Sequence, residues 1–279
     1  MNWLVVDEII RRALEEDSIY GDITTDSIIK KESICTVELI CKEKGIISGM
    51  EVFKRVFDTL GNVEVDLFVL DGHRVEKNLV IGKISGNTRN VLKGERIALN
   101  LVQKMSGIAT FTNELVGEIK GTKAKLLDTR KTTPNLRCLE KYSVKVGGGY
   151  NHRFSLSDGV MIKDNHISAS GSITQAVGMA RAQVSFIRKI EVETENLDQV
   201  EEALSAGVDI IMLDNMSIEN MKEAVELING RALVEASGNV SKETIKEIAM
   251  TGVDYISCGA LTHSVKALDI SMKNLVIIK

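Results

Sequence analysis

A chain of 279 residues, 44% hydrophobic and 27% charged, has the make-up of a globular protein with room for one large core or two ordinary ones. Its 35 Lys and Arg against 39 Asp and Glu leave a net charge of -4, which excludes the global positive field of a nucleic-acid or acidic-lipid binder. No apolar run approaches membrane-spanning length, and the cysteines (Cys35, Cys41, Cys138, Cys258) lack CxxC or metal-ligand spacing. They read as reduced core thiols, so the expectation is a cytoplasmic protein with no membrane or nucleic-acid partner.

The first segment, MNWLVVDEIIRRALEEDS, reads as an amphipathic helix with Leu4, Val5, Ile9 and Leu14 on its apolar face. Asp7 and Glu8 cut its apolar run, which argues against a signal peptide. Strands are predicted over 33–41, 63–70 and 79–84, around a helix over 50–60. A long helical pattern follows over 89–116. These elements form a mixed α/β domain over residues 1–106, with its boundary near Ser106 and Gly107.

The remaining residues, 107–279, have a rhythm. Strands predicted over 125–127 and 160–163 precede four β-branched runs, IRKIEV (187–192), DIIML (209–213), ALVE (232–235) and VDYISC (253–258), whose starts lie 21 to 23 residues apart. Helical spacing fills the intervals: Leu197, Val200 and Leu204, then Ile218, Met221, Val225 and Ile228, then Ile245, Ile248 and Ala249. Ser217 and Ser241 stand where N-caps belong. Such a repeat predicts parallel strands with right-handed crossovers, in six or seven βα units that form a barrel or nearly closed barrel. A doubly wound open sheet is the rival.

In βα barrels the chemistry collects where strands end. Those ends read Asp128-Thr129-Arg130-Lys131, Lys163-Asp164-Asn165-His166, Glu191-Val192-Glu193, Asp214-Asn215, Glu235-Ala236-Ser237-Gly238-Asn239 and Ser257-Cys258-Gly259. The first lies in a stretch, 128–153, that holds six Lys and Arg against two acids, a local concentration of cations suited to a small anionic ligand. Arg130, Lys131, His152, Arg153 and Lys163 supply donors to anionic oxygens. Glu193 and Asp214 are carboxylates for a metal, for sugar hydroxyls or for a developing cation. The small residues of the last two ends let backbone N–H groups approach a phosphate, with a helix start expected after each. Lys141 and Lys145 read as solvated charge, and His73 and His263 as structural or surface residues. Arg137 stands open, and His166 stands open between the site and the core. The run Gly147 to Gly149 lacks dinucleotide-fingerprint spacing.

The motifs GERIALNLVQKMSGIAT, DTRKTTPNLR, EKYSVKVGGGYNHR, VMIKDNH, EVETENL, IIMLDN, EASGN and DYISCGALTHS, spread over nearly the whole chain, resemble the quinolinate phosphoribosyltransferase family (nicotinate-nucleotide pyrophosphorylase, carboxylating). The resemblance implies an α/β protein: an incomplete, open βα barrel of the type II phosphoribosyltransferase kind behind an N-terminal, hammerhead-like α/β sandwich onto which the last residues pack back. It implies conversion of quinolinate and phosphoribosyl pyrophosphate to nicotinate mononucleotide, pyrophosphate and CO₂, in NAD biosynthesis. It further implies Mg²⁺ carried with phosphoribosyl pyrophosphate, no organic cofactor, and a homodimer or larger assembly with shared sites.

Carried over by motif, Arg96 would reach quinolinate from the neighbouring subunit, and Arg130, His152, Arg153 and Lys163 would hold its carboxylates. Thr129 joins the substrate-binding set, and Lys131 would meet phosphate or the reacting region. Glu193 and Asp214 would face the ribose near Mg²⁺, forming with Lys131 the catalytic set. Ser237, Gly238 and Asn239, with Ser257, Cys258 and Gly259, would receive the 5′-phosphate. Two departures stand out. Asn135 occupies a usual glycine, where its tolerance of positive φ preserves the turn, and Ala236 replaces a larger apolar residue. The alternatives are a related phosphoribosyltransferase of the molybdenum-locus type, a Schiff-base enzyme using Lys163, and a non-catalytic sensor of a phosphorylated metabolite.

Overall fold

The computed structural model describes residues 1–278. It divides into two compact units: residues 1–113, 132–148 and 264–278 make the first, and residues 114–131 and 149–263 the second.

The chain opens with α1 (Trp3–Asp17) and α2 (Ile23–Ile28), capped by the side chains of Asn2 and Asp22. The stripe that α1 buries is Val6, Ile10 and Leu14, a strict i, i+4, i+8 row. Leu4 and Val5, expected on that face, are exposed. Next come β1 (Ile34–Cys41), β2 (Gly45–Ile46), α3 (Met50–Leu60), β3 (Val63–Leu67), β4 (Arg74–Val75), β5 (Val80–Asn87) and the 31-residue helix α4 (Thr88–Glu118). Helix α3 buries Met50, Val52, Phe53, Val56 and Phe57, with the two rings packed edge to face at 5.2 Å. Its first amides are capped from a distance: the Asp71 carboxylate accepts the N–H groups of Gly49 and Met50, each at 2.9 Å. Gly94 of α4 passes so close to α3 that a Cβ there would lie 2.7 Å from the Phe57 ring.

In the second unit, β6 (Lys125–Leu127) leads by way of α5 (Arg137–Val146, a first-unit helix) to β7 (Val160–Ile162), α6 (Asp164–Ser170), α7 (Ile173–Gln183), β8 (Ile190–Thr194) and α8 (Leu197–Ser205). The chain continues with β9 (Ile210–Asp214), α9 (Ile218–Ile228), β10 (Leu233–Ser237), α10 (Ile245–Met250), β11 (Tyr255–Ser257) and α11 (Ala260–His263). It returns to the first unit for β12 (Ile270–Ile277), which completes an antiparallel sheet in the order β12-β1-β5-β3.

The second unit is built on six parallel strands in the order β6-β11-β10-β9-β8-β7. Strands β6 and β7 are the two rims and do not pair, so the barrel is open. Beside the β6 rim Tyr150 makes a bridge to Leu127. The predicted strand starts hold within one to three residues. The largest shift is at β8, because Phe186 and Ile187 are exposed residues of a turn in which the Arg188 N–H donates to the Ser185 carbonyl. Ser217 caps α9 as expected, its hydroxyl accepting the Asn220 N–H at 3.2 Å. Ser241 does not cap α10, which begins at Ile245 after an intervening turn.

Candidate active site

Every strand of the open barrel ends on the same side, and the side chains there line a cavity of about 550 Å³. Its lining holds Thr129, Arg130, Lys131, His152, Arg153 and Lys163, together with Glu193, Asp214, Ser237, Gly238, Asn239 and Ser257. Met161, Met212, Asn215 and Glu235 complete the lining, none of which the sequence reading assigned to the site. Three predicted residues are not in the lining. Arg96 lies exposed on α4 in the first unit, while Cys258 and Gly259 follow the last strand. Cys258 donates through its thiol to the Val240 carbonyl, and burial raises its pKa.

The cationic wall is braced from below. Asp128, fully buried at the end of β6, accepts the His152 amide at 2.9 Å and the Asn151 side chain at 2.5 Å, fixing the strand-like return that carries His152 and Arg153. Thr129 accepts the Lys131 amide at 3.0 Å, and Thr262 donates its hydroxyl to the Lys131 carbonyl at 2.8 Å. Gly259 leaves room for the Lys131 chain, since a Cβ there would lie 3.0 Å from Lys131 Cδ. The Arg153 guanidinium donates to the Gly159 carbonyl at 3.0 Å. Burial first, and repulsion from neighbouring Arg130 second, lower its pKa from the ordinary arginine value. Two guanidinium groups close enough to repel are an arrangement that an anion relieves.

The Lys163 ammonium is paired with the Glu193 carboxylate, and Asp214 accepts the Asn215 side chain at 2.8 Å. The loop after β10 is shaped for close approach. Gly238 has φ +91°, and a Cβ on it would lie 2.1 Å from the Asn215 side-chain oxygen. Asn239 and Asn215 both adopt positive φ and hydrogen-bond to each other at 3.1 Å. The helices after the two small-residue ends are short: α10 starts six residues past Asn239, and α11 spans only Ala260–His263. A helix follows each end as expected, α11 directly after Gly259 and α10 after an intervening turn, but both are short, and what the loops offer an anion is chiefly their own turns.

His152 and Glu235 of this lining meet Glu191 in a cluster to which the sequence reading, which named all three residues, gave no shared role. Glu191 and Glu235, 4% and 2% exposed, turn inward from β8 and β10. Nε2 of His152 lies 3.2 Å from one carboxylate and 3.4 Å from the other. Burial would lower the pKa of His152, but its hydrogen bonds to Glu191 and Glu235 outweigh that and raise it to about 10. Burial raises the pKa of Glu191 as well. The trio therefore keeps an extra proton at neutral pH. Nδ1 of the ring lies 2.7 Å from the Arg153 amide nitrogen, and Nε2 faces the two carboxylates. Alternation along β8 puts Glu191 and Glu193 on one side of the strand.

His166 belongs to neither place left open for it. It is exposed, and its ring accepts the Lys163 amide at the start of α6. Arg137 donates to Thr132 at 3.0 Å in the first unit. Lys141, expected in solvent, is 3% exposed beside Glu140, itself 1% exposed. Glu140 pairs with Lys104 at 3.1 Å and accepts the Thr133 amide at 3.1 Å.

The fold and this cavity define an open βα-barrel protein whose strand ends bring cationic side chains and carboxylates into one cavity. Family models for the quinolinate phosphoribosyl transferase C-terminal and N-terminal domains match residues 108–273 and 22–106. The "Probable nicotinate-nucleotide pyrophosphorylase (carboxylating)" of Bacillus subtilis is 45% identical, over 98% of this chain and 94% of its own. The "Quinolinate phosphoribosyltransferase (decarboxylating) 2b, mitochondrial" of Nicotiana tabacum is 44% identical, over 95% and 81%. The crystal structure of NadC from Streptococcus pyogenes superposes with a TM-score of 0.96 at 45% identity, covering 100% of this chain and 99% of that one. The chain belongs to the quinolinate phosphoribosyltransferase family.

Proposed function

We propose that this protein is a decarboxylating quinolinate phosphoribosyltransferase, which joins quinolinate to the ribose of phosphoribosyl pyrophosphate and releases nicotinate mononucleotide, pyrophosphate and CO₂. The observation that carries this reading is the single cavity in which Arg130, Lys131, Arg153 and Lys163 face Glu193 and Asp214. Both substrates are polyanions, so the first task is to bring like charges together. The cations offset the mutual repulsion of the substrates and the lost hydration of their carboxylates. Arg130 and Arg153 fit the two adjacent carboxylates of the pyridine, Arg96 of a second subunit adds to them, and Lys131 faces the reacting region.

Loss of pyrophosphate leaves an oxocarbenium-like ribose. Glu193 and Asp214, on neighbouring strands, are placed to stabilise that positive charge. Attack by the pyridine nitrogen creates a cationic ring, which holds the electrons of the breaking 2-carboxylate bond at C2 as CO₂ leaves; C2 then takes a proton from water to give nicotinate mononucleotide. No side-chain nucleophile is needed. The Ser237-Gly238-Asn239 loop, with Ser257 beside it, receives the 5′-phosphate on its turns. Glu193 and Asp214 are hard oxygen donors at the cavity wall, and two carboxylates suit an ion that keeps its waters and leans on substrate phosphates. Mg²⁺ bound with phosphoribosyl pyrophosphate supplies neutralisation of the leaving group there. The assembly is a homodimer with shared sites, acting in the cytoplasm.

The deciding assay measures CO₂ released from carboxyl-labelled quinolinate. Release that requires both phosphoribosyl pyrophosphate and Mg²⁺ is expected. Turnover of nicotinate with none of quinolinate would assign the site to a different anionic ring. Binding of both ligands without product would leave a sensor.

A further inference from the structure

The chain leaves the second unit between Lys131 and Thr132, and residues 131–136 belong to no strand or helix. A segment without a ladder takes its shape from single hydrogen bonds. On the cavity side, Thr262 donates its hydroxyl to the Lys131 carbonyl at 2.8 Å. Further along, the Thr132 hydroxyl accepts from Arg137 at 3.0 Å, and the Thr133 amide donates to Oε2 of Glu140 at 3.1 Å. Pro134 has no N–H to offer and favours extended backbone at Thr133, so the Thr133 amide is the last main-chain donor before the turn at Asn135.

Glu140 is 1% exposed on α5, and a buried carboxylate is costly where a neutral acceptor would serve one amide. Its charge is met from α4, where the Lys104 ammonium lies 3.1 Å from Oε1. One oxygen therefore grips the loop, and the other is tied to the 31-residue helix. We propose that Glu140 is a positioning residue: by pinning the Thr133 amide to α4 through Lys104, it fixes the backbone that presents Arg130 and Lys131 to the cavity before any ligand arrives. This rests on the proposed function for what those two side chains meet. Lys131 lies two residues from the pinned amide and is held at its own carbonyl by Thr262. A loosened loop must be ordered at the moment of binding, and that loss falls on substrate affinity.

The two tasks of Glu140 sit on different oxygens and separate by substitution. Glu140→Leu removes both, and KM for quinolinate should rise about tenfold, as expected when two long side chains must be re-ordered on binding. Glu140→Gln keeps an acceptor for Thr133 and loses the charge opposite Lys104, while Lys104→Met removes the partner charge alone. Both should lower Tm, yet leave KM for quinolinate within about twofold of wild type, because the amide keeps its acceptor. A merely structural glutamate predicts KM following Tm in all three variants, and that result overturns the proposal. So does an unchanged KM in Glu140→Leu. The wild-type protein supplies an arm that needs no variant to fold. Hydrogen exchange followed by NMR should show the Thr133 amide protected in the free protein, although it lies in a loop. An amide that exchanges freely, or gains protection only with quinolinate, overturns the anchor. Failure of the wild-type protein to release CO₂ would instead count against the proposed function, and the exchange of Thr133 would still decide the anchor.

Discussion

Arg153 is held at three points: its amide on His152, and its guanidinium on the Gly159 carbonyl and on the Met161 sulfur. A side chain fixed this way loses little freedom when a carboxylate arrives, so its removal should be felt mainly in binding. Arg153→Ala is expected to raise KM for quinolinate about 30-fold, equivalent to ~2 kcal/mol for a desolvated charge partner, measured by steady-state kinetics with the second substrate saturating. Gly238 is the other residue with no tolerance, combining φ +91° with the 2.1 Å approach to Asn215. Gly238→Ala should raise KM for phosphoribosyl pyrophosphate at least about tenfold, from ~1–3 kcal/mol of imposed strain, and leave KM for quinolinate within about threefold. At this scale the sequence was readable where one residue carries its own reason. Asn135 does adopt a positive φ, 65°, as its tolerance of that region suggested. It was unreadable where the reason is a neighbour. Nothing in the string EKY reveals that Glu140 and Lys141 are buried, because their burial depends on partners such as Lys104, distant in the chain.

Elements are held by side chains from far along the chain as well as by their own patterns. Helix α3 starts at Gly49 with no side chain of its own to cap it, and Asp71 serves instead while also accepting the Tyr142 hydroxyl at 2.8 Å. Asp71→Ala should therefore destabilise the first unit by ~1–2 kcal/mol, the upper range of a lost cap, as measured by chemical denaturation. Tyr142→Phe should cost less, ~1 kcal/mol, since it removes a single neutral donor. The elements of the parallel sheet were legible because their period is strong and their apolar runs are short. Strands β2, β4 and β12 and helices α2, α6 and α7 were not predicted. Two of these strands are two-residue pieces, and β12 buries only Ile270 and Met272, at its start, while its apolar run Leu275, Val276 and Ile277 lies exposed, so it lacks the alternation of a half-buried strand. The inward glutamates on β8 and β10 broke the rule that barrel interiors are apolar, and for that reason they passed as ordinary strand-end polarity.

For the molecule as a whole, the proton kept by the His152 cluster makes stability depend on pH. The folded state holds it up to about pH 10, whereas an unfolded histidine releases it near its ordinary value of 6.5. Between those limits the folded chain binds more protons than the unfolded one. The contribution is complete below about pH 6.5 and is lost as pH rises toward 10. Burial of Glu191 acts in the same direction. Thermal unfolding should show Tm falling from pH 6.5 to pH 9, with a shallower fall in His152→Gln.

The rims of the open barrel have a consequence for crowding. An unclosed parallel sheet exposes two rows of backbone donors and acceptors, the usual template on which foreign strands zip up. Here each rim strand is only three residues long, β6 at one edge and β7 at the other. Tyr150 bridges onto the first, while Arg153 and Arg188 donate to the carbonyls of Gly159 and Asp158 just before the second. Brevity and guanidinium cover leave an intruding chain too little ladder to climb, so the gap that admits small ligands is a poor seed for fibrils.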